Sequence, residues 1–465
     1  MDTIDLKFVL NNVNGKLTKG NSLFEVNEVC IDSRKTSKNS IFISLIGEKH
    51  DAHKFLEQVY DNGCRAIIIS DELWNQKMSE YEDINIIMVD DTLNALQELA
   101  KAYLENLNVK KISITGSVGK TTTKDLLYSI IKNKYKTQRN IGNLNNDIGV
   151  PLTIFTFDST LEVVIVEMGM GYDGHIGRLA EIVKPDIAII TTIGSSHIEI
   201  HNTREGILKE KLKITSYFNK KNTLIINNTC DLLDKDLVND LTENNFEIVT
   251  VGDSNSDLVV KNIRNLGTLG IKFDLKYLDH EYNINLPLIG AHNAINAVLS
   301  IAASLMIGFK VDETIQGLED LHMTKNRLEI NETDKYLILD DTYNASKESM
   351  CSALESLKSM EGKRKIAILG DMYELGQSTK HSHEVVGNYA SETGLDVLIS
   401  IGENAVDIAE SARKQGKIEK IYYFKSKEEL YPLLADILKK GDSILVKASR
   451  GMALEKLVEK IENID

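Results

Sequence analysis

The chain has 465 residues, about three times the ~150-residue prior for one domain, so two to four domains are expected. Hydrophobic residues make up 42% and charged residues 26%, enough apolar material for more than one core, which excludes disorder of the chain as a whole. With 54 Lys+Arg against 69 Asp+Glu the net charge is −15, which argues against broad, sequence-independent contact with nucleic acid. A local anion site remains open, because backbone amides and a bound metal can supply the positive field there.

The N-terminal stretch MDTIDLKFVLNN carries two Asp before its first Lys and has no long apolar core, so it does not read as a secretory signal. No run of about 18 apolar residues occurs, so no membrane span is expected. Cys30, Cys64, Cys230 and Cys351 form no CxxC pair, which suggests neither a structural zinc site nor a disulfide framework. These features together point to a cytoplasmic protein. No interface signature stands out, so a monomer is expected.

Residues 1–106 mix short strand-like runs with helices. ISLIG (Ile43–Gly47) and AIIIS (Ala66–Ser70) read as buried strands, and NALQELAKAYLENL (Asn94–Leu107) has helical spacing. From Lys111 the chain alternates strand and helix: KISIT, a Gly-containing turn, the helix TTTKDLLYSIIKNKY, then the strands EVVIVEMG and DIAIITTIG. That alternation predicts a doubly wound α/β domain with a mostly parallel sheet. Between about 244 and 288 short alternating strands (FEIVTVG, LVVKNI, IKFDLKYL, YNINLPL) predict a β-rich edge of the same domain. Near Leu321 a third α/β unit begins, with five apolar strands: KYLILDD, RKIAILGD, DVLISIG, KIYYF and DSILVKAS. The expected organisation is three α/β domains over 1–106, 107–318 and 319–465.

Thr115-Gly116-Ser117-Val118-Gly119-Lys120-Thr121-Thr122 follows a strand and opens a helix. In that setting glycines let backbone N–H groups close around phosphates at the helix N-terminus. Lys120 can reach the β/γ-phosphates and the Thr121 hydroxyl can ligate Mg²⁺. Ile114 occupies the first glycine position of the strict pattern, and an ordinary Gly turn before a helix is the plainer alternative. Strand, GKT and helix together point to a nucleoside triphosphate.

Further motifs narrow the field. TGSVGKTTTKDLL, NLNNDIGVPLT, VEMGM, IGSSHIE, GAHNAINA, LGDMYELG and VKASRGMALE occur in one order, with IDSRKTSKNSIFISLIGEKHDAHKF ahead of them. This series resembles the Mur ligase family of ATP-dependent enzymes that build the peptidoglycan peptide stem. With DDTYNAS (Asp340–Ser346), LGDMYELG looks most like the member that adds D-alanyl-D-alanine to UDP-N-acetylmuramoyl-tripeptide. The resemblance covers nearly the whole chain. It implies an N-terminal domain for the UDP substrate, a central P-loop ATPase domain and a C-terminal Rossmann-like ligase domain. It also implies a route in which ATP phosphorylates the tripeptide carboxylate and the dipeptide amine attacks the resulting acyl phosphate.

The resemblance assigns expectations residue by residue. Gly116, Ser117, Gly119, Lys120, Thr121 and Thr122 would hold ATP, with Asn293 at the adenine and Arg327 and Asp341 reaching phosphates and ribose; Asp340 is the adjacent alternative to Asp341. Two Mg²⁺ ions are implied, one on Thr121 and Glu167 and a second on His197 and a carbamylated Lys211, with Lys209 as the neighbouring alternative. Lys120, His197 and Lys211 would carry the catalysis. Ser33, Arg34, Asp51 and His53 would receive the UDP part, and Asn145, Asn146 and Thr153 the muramoyl-peptide region. Tyr343, Asn344 and Ser346 would lie on the D-alanyl-D-alanine side. Five departures from the family's usual pattern stand out: Ala52, Ile200–Asn202, Lys213, Ser346-Lys347 and Ala448. Competing readings are another ligase of the superfamily, such as the one adding the third stem residue or a folylpolyglutamate synthetase-like enzyme, and a non-catalytic nucleotide binder.

Overall fold

A computed structural model describes residues 1–48, 50–242 and 245–464. The chain falls into two compact units. The first comprises residues 1–112, 135–169 and 175–186; the second comprises 113–134, 170–174 and the chain from Ile187 onward.

The first unit opens with a two-stranded antiparallel ribbon, β1 (Ile4–Asp5) with β3 (Glu25–Val26). Its main sheet has the order β2-β7-β6-β5-β4, from β2 (Lys16–Lys19), β4 (Glu28–Cys30), β5 (Ser40–Ile43), β6 (Ala66–Ile69) and β7 (Asn85–Met88). Pairing is parallel from β4 to β7 and antiparallel only at β2. Strands β5 and β6 are buried on both faces, which is why IFI (Ile41–Ile43) and AIII are unbroken apolar runs. The strand expected at ISLIG lies three residues earlier: Ile41, Phe42 and Ile43 are fully buried, whereas Ile46 is 64% exposed in the following loop. The helix expected at Asn94–Leu107 spans Thr92–Asn106, capped by the Asp91 carboxylate accepting from Asn94 N–H. The unit also holds β9 (Thr137–Arg139) parallel to β10 (Val163–Glu167), in the order β8-β10-β9. Strand β8 (Lys110–Thr115) starts in the first unit and ends in the second.

In the second unit one sheet has the order β16-β15-β14-β13-β12-β11-β8. Strands β11 (Ile187–Ile190), β12 (Thr223–Asn227), β13 (Glu247–Gly252) and β14 (Leu258–Asn265) pair in parallel. Then β14, β15 (Ile271–Tyr277) and β16 (His280–Leu286) pair antiparallel, forming the expected β-rich edge. The change in pattern has a simple origin: Ile271, Phe273 and Leu275 point into the core while their neighbours do not, as half-solvated antiparallel strands require.

The other sheet has the order β17-β18-β22-β19-β20-β21. Five of its strands match the predicted runs: β18 (Tyr336–Asp340), β19 (Arg364–Gly370), β20 (Val397–Ile401), β21 (Lys420–Phe424) and β22 (Asp442–Lys447), all parallel. The sixth, β17 (Glu329–Glu332), is an antiparallel edge with the polar sequence EINE, which carries no hydrophobic signal. Two apolar clusters cover the two faces, one around Met350, Leu354 and Leu369, the other around Ile368, Ile399 and Leu457. The loops at the C-terminal ends of these strands, where open parallel sheets generally bind ligands, carry several of the candidate site residues.

Candidate active site

The turn after β8 is shaped by two glycines. Gly116 (φ 150°) has no room for a side chain, since a Cβ would lie 1.9 Å from Thr191 Oγ1. Gly119 (φ 90°) takes the left-handed conformation at the N-cap of the helix Lys120–Ile131, with Asn296 Oδ1 2.7 Å from where its Cβ would stand. The loop after β11 braces this turn. Thr191 Oγ1 donates to Val118 O (2.6 Å), Val118 N–H donates to Thr192 Oγ1 (2.9 Å), and Gly194 N–H donates to Ser117 Oγ (2.8 Å). Neither Thr191 nor Thr192 stands out in the sequence, because their partners are more than 70 residues away. Lys120 folds back over the turn, donating to Gly116 O at 2.6 Å.

A cavity of about 270 Å³ opens beside this turn. Of the expected nucleotide residues, Ser117, Gly119, Lys120, Thr121, Thr122, Asn293, Arg327 and Asp341 line it, together with His197 and Asn344. Gly116, Lys211 and Tyr343 do not form its wall. Asn293 is not a helix cap: it lies inside the helix His292–Met306, donates to Ile289 O and accepts from Asn296 Nδ2. Asp341 and Asp340 part ways. Asp341 lines the cavity, whereas Asp340 is consumed by Thr342 and by Asn326 Nδ2. The Arg327 guanidinium stacks 4.0 Å over the Tyr343 ring, and its buried Nε has no hydrogen-bond partner among the described residues.

Lys447, at the end of β22, lines the same cavity and was not singled out by sequence. It is buried, 2.5 Å from Asp341 Oδ2, and donates to Asn344 O at 2.8 Å. Burial holds its ammonium below the usual lysine range, an effect that Asp341 opposes. Enclosure in the cavity wall, with Lys447 nearby, takes the His292 imidazole down to about 4.

His197 adopts a left-handed conformation (φ 64°) at the start of the helix Ile198–His201, and its Nδ1 lies 3.2 Å from Glu374 Oε2. Glu374 is itself left-handed (φ 61°). Such backbone costs about 1–3 kcal/mol per residue and persists where the surroundings fix it. Lys211 and Lys209 separate cleanly. On the helix Arg204–Leu212, Lys211 is 2% exposed whereas Lys209 faces solvent. Burial pushes the Lys211 amine well below the ordinary lysine value, and Lys120 pushes it further the same way. Lys213 pairs with Glu210 (2.6 Å) and Asp173 (3.0 Å), which gives that departure a structural partner set. Ala448 packs against Gly370, where a Cβ would come within 2.7 Å of it. Ser346 caps the helix Lys347–Ser359 through Ser349 N–H.

Within the first unit, Glu167 ends β10 and is 1% exposed. Its Oε1 accepts from Asn145 Nδ2 at 2.9 Å, and its backbone is clamped on both sides by the Asn140 side chain. Asn146 Oδ1 accepts from Gly149 N–H at 2.8 Å, at the start of the helix Gly149–Ile154, and Thr153 is buried, donating to Gly149 O. Arg34 forms a two-pronged bond to Asp32, which holds the Asp32 carboxyl down at about 2, and Ser33 donates to Gln58. The His53 ring is fully buried, one nitrogen on Asp51 and the other accepting from Ser70 N–H, which orients the Asp51 carboxylate.

Among the described residues no group of three or more His, Cys, Asp or Glu side chains is placed to hold a metal ion. A hard cation here needs oxygens from phosphate and water, which is how Mg²⁺ is usually held. The orphaned Arg327 Nε and the phosphate-loop turn suit a nucleotide anion. No described helix is long and apolar enough to cross a membrane.

Three family models match the chain in order: the Mur ligase family catalytic domain over residues 25–104, the Mur ligase middle domain over 114–304, and the Mur ligase, glutamate ligase domain over 326–450. The UDP-N-acetylmuramoyl-tripeptide--D-alanyl-D-alanine ligase of Bacillus subtilis is 36% identical over 445 residues, covering 94% of this chain and 93% of its own. A crystal structure of MurF from Acinetobacter baumannii superposes with a TM-score of 0.91 at 28% identity, covering 100% of both chains. MurF ligase from Thermotoga maritima in complex with ADP gives 0.81 at 28% identity, over 94% of this chain and 97% of that one.

Proposed function

The chain belongs to the Mur ligase family, and on that premise we propose that it joins D-alanyl-D-alanine to UDP-N-acetylmuramoyl-tripeptide at the expense of ATP, in peptidoglycan precursor synthesis. The observation that carries this reading is full-length similarity to ligases of that one specificity, joined to a cavity lined by the phosphate-loop residues. The three domains are proposed to span 1–106, 107–318 and 319–465.

The chemistry is carboxyl activation followed by aminolysis. ATP transfers its γ-phosphoryl group to the tripeptide carboxylate, the dipeptide amine attacks the acyl phosphate, and inorganic phosphate leaves. Charge builds on phosphate oxygens in the first step and on the carbonyl oxygen in the second, so the protein's work is positioning and electrostatic stabilisation. Lys120 and the amides of Gly116–Thr122 bind the phosphates. Arg327, held flat by Tyr343, and Asp341, held by Lys447, complete the nucleotide side. Asn293 is assigned to the base.

Mg²⁺ supplies charge neutralisation when bound. Thr121 and Glu167 are proposed for one ion, and His197 and Lys211 for a second. Lys211 is proposed to act as its carbamate: a buried amine with a depressed proton affinity is the nucleophilic form that CO₂ requires. Ser33, Arg34 and Asp51, oriented by His53, are proposed for the UDP moiety, Asn145, Asn146 and Thr153 for the muramoyl-peptide, and Tyr343 and Asn344 for the dipeptide side. The protein is proposed to act as a cytoplasmic monomer without nucleic acid partners.

Phosphate release is the direct test, using UDP-muramoyl-tripeptides ending in L-lysine or meso-diaminopimelate against a panel of D-alanyl-D-alanine, other dipeptides and single amino acids. Turnover with D-alanyl-D-alanine and not with single amino acids is expected. Turnover with a single amino acid alone would transfer the chain to another specificity.

A further inference from the structure

The loop Ile193–His197 is held first at Ile193, whose carbonyl accepts from Arg204 Nη2 at 2.9 Å and whose N–H donates to Cys230 Sγ at 3.4 Å, and then at the two residues that follow. Gly194 N–H donates to Ser117 Oγ of the phosphate loop at 2.8 Å. Ser195 donates twice, from its N–H (2.9 Å) and its hydroxyl (2.8 Å), to a single carboxylate oxygen, Oε1 of Glu348. Glu348 sits in the first turn of the helix Lys347–Ser359, where the helix dipole favours negative charge. The fit is close, since a Cβ on Gly194 would come within 3.0 Å of the Glu348 carboxyl carbon. Lys347 Nζ stands 3.6 Å from Oε1, and Oε2 is buried with no hydrogen-bond partner among the described residues. A carboxylate that leaves one oxygen buried and unbonded to accept two bonds with the other has been placed by the loop and not by solvation. His197 follows two residues later, in a backbone conformation that its surroundings must hold.

Building on the ligase reading above, we infer that Glu348 is a positioning residue: through Ser195 it fixes the Ile193–His197 loop so that His197 stays at the cavity wall. The same bond ties that loop to the helix that begins directly after the Tyr343–Ser346 segment, proposed for the dipeptide side. Loss of the carboxylate removes two charge-assisted bonds at once and leaves the loop held ahead of Ser195 by Ser117, Arg204 and Cys230. Glu348 does not line the cavity, so its effect should fall on turnover more than on nucleotide affinity.

The experiment compares the full-length parent with Glu348→Ala, Glu348→Gln and Ser195→Ala, reading kcat, KM for ATP and hydrogen exchange at the Ser195 amide. Glu348→Ala is expected to lower kcat by about tenfold or more with KM for ATP within about twofold. It should speed Ser195 exchange by about tenfold. Glu348→Gln keeps an acceptor oxygen and should restore both to within about threefold of the parent. Ser195→Ala keeps its amide bond and should fall between the two, so it and Glu348→Gln serve if the alanine variant at 348 does not fold. Unchanged kcat in Glu348→Ala overturns the inference even where exchange rises, as does a glutamine variant no better than alanine. A parent that fails to ligate the dipeptide defeats the ligase reading, and Ser195 exchange still decides whether Glu348 pins the loop.

Discussion

Lys447 Nζ stands 2.5 Å from Asp341 Oδ2 and donates to Asn344 O at 2.8 Å, so one buried ammonium at the end of β22 holds both ends of the Asp341–Asn344 segment. Removing it strands a carboxylate in a site where its partner made the charge tolerable. Lys447→Met is expected to cost about 3–5 kcal/mol of unfolding free energy and to abolish ligation. The double variant Lys447→Met/Asp341→Asn should recover more than half of the stability and none of the activity. Denaturant unfolding and phosphate release measure the two effects.

Lys120 acts on the phosphate side alone in this reading. Lys120→Ala should lower kcat for ATP-dependent ligation by about 100-fold or more while binding of the UDP-tripeptide changes less than about twofold. Calorimetric titration of the nucleotide sugar beside a turnover assay separates these. Substantial residual turnover would remove the assigned role.

At Lys211 the depressed amine predicts a carbamate. Protein equilibrated with ¹³C-labelled bicarbonate should show one slowly exchanging carbamate carbon that is missing in Lys211→Ala and present in Lys209→Ala. The Lys211→Ala variant should lose activity by about 100-fold and regain part of it with short carboxylic acids, which replace the missing anion. No carbamate signal and no rescue would sink the assignment.

His292 supplies a pH dependence with a definite sign. Its folded value, about 4, lies below the ordinary 6.5, so between those values the unfolded chain binds more protons. The stability it contributes is therefore complete above about 6.5 and is lost as pH falls toward 4. Going from pH 7 to pH 4, the parent should lose on the order of 2 kcal/mol more than His292→Asn. Parallel denaturant series at pH 7, 5.5 and 4 give the difference, and parallel curves for the two proteins would show that His292 is not the group involved.

Much of this fold is legible because parallel strands are covered on both faces. AIII, VVIV and IAII are unbroken apolar runs for that reason, and the phosphate loop is readable because strand, turn and helix are contiguous. What escapes reading is set by long-range pairing or by side-chain direction. EINE forms β17 only because β18 offers it an edge, and Lys447 matters only through residues about a hundred positions earlier. Asp340 and Asp341 are neighbours on an extended segment, where successive side chains point to opposite sides, so adjacency in sequence left open what direction decides. Lys209 and Lys211 are two apart on a helix, about 200° around its axis, which puts one in solvent and the other in the core. His53 shows the reverse case, a motif position whose ring is spent on Asp51 and Ser70.

The strand that bears Lys447 lies between β18 and β19, although the chain makes it after β19, β20 and β21. During synthesis β18 and β19 therefore emerge without the neighbour that joins them, and each waits with an unpaired edge. The middle of this sheet closes only when β22 is made, so a nascent chain that ends before Asp442 leaves one edge each of the apolar strands β18 and β19 unpaired. Because Lys447 arrives on that same strand, completing the sheet and bringing in the cation that grips Asp341 are one event. A chain that ends before Asp442 already contains the phosphate-loop residues but lacks the lysine that closes the cavity wall at Asp341.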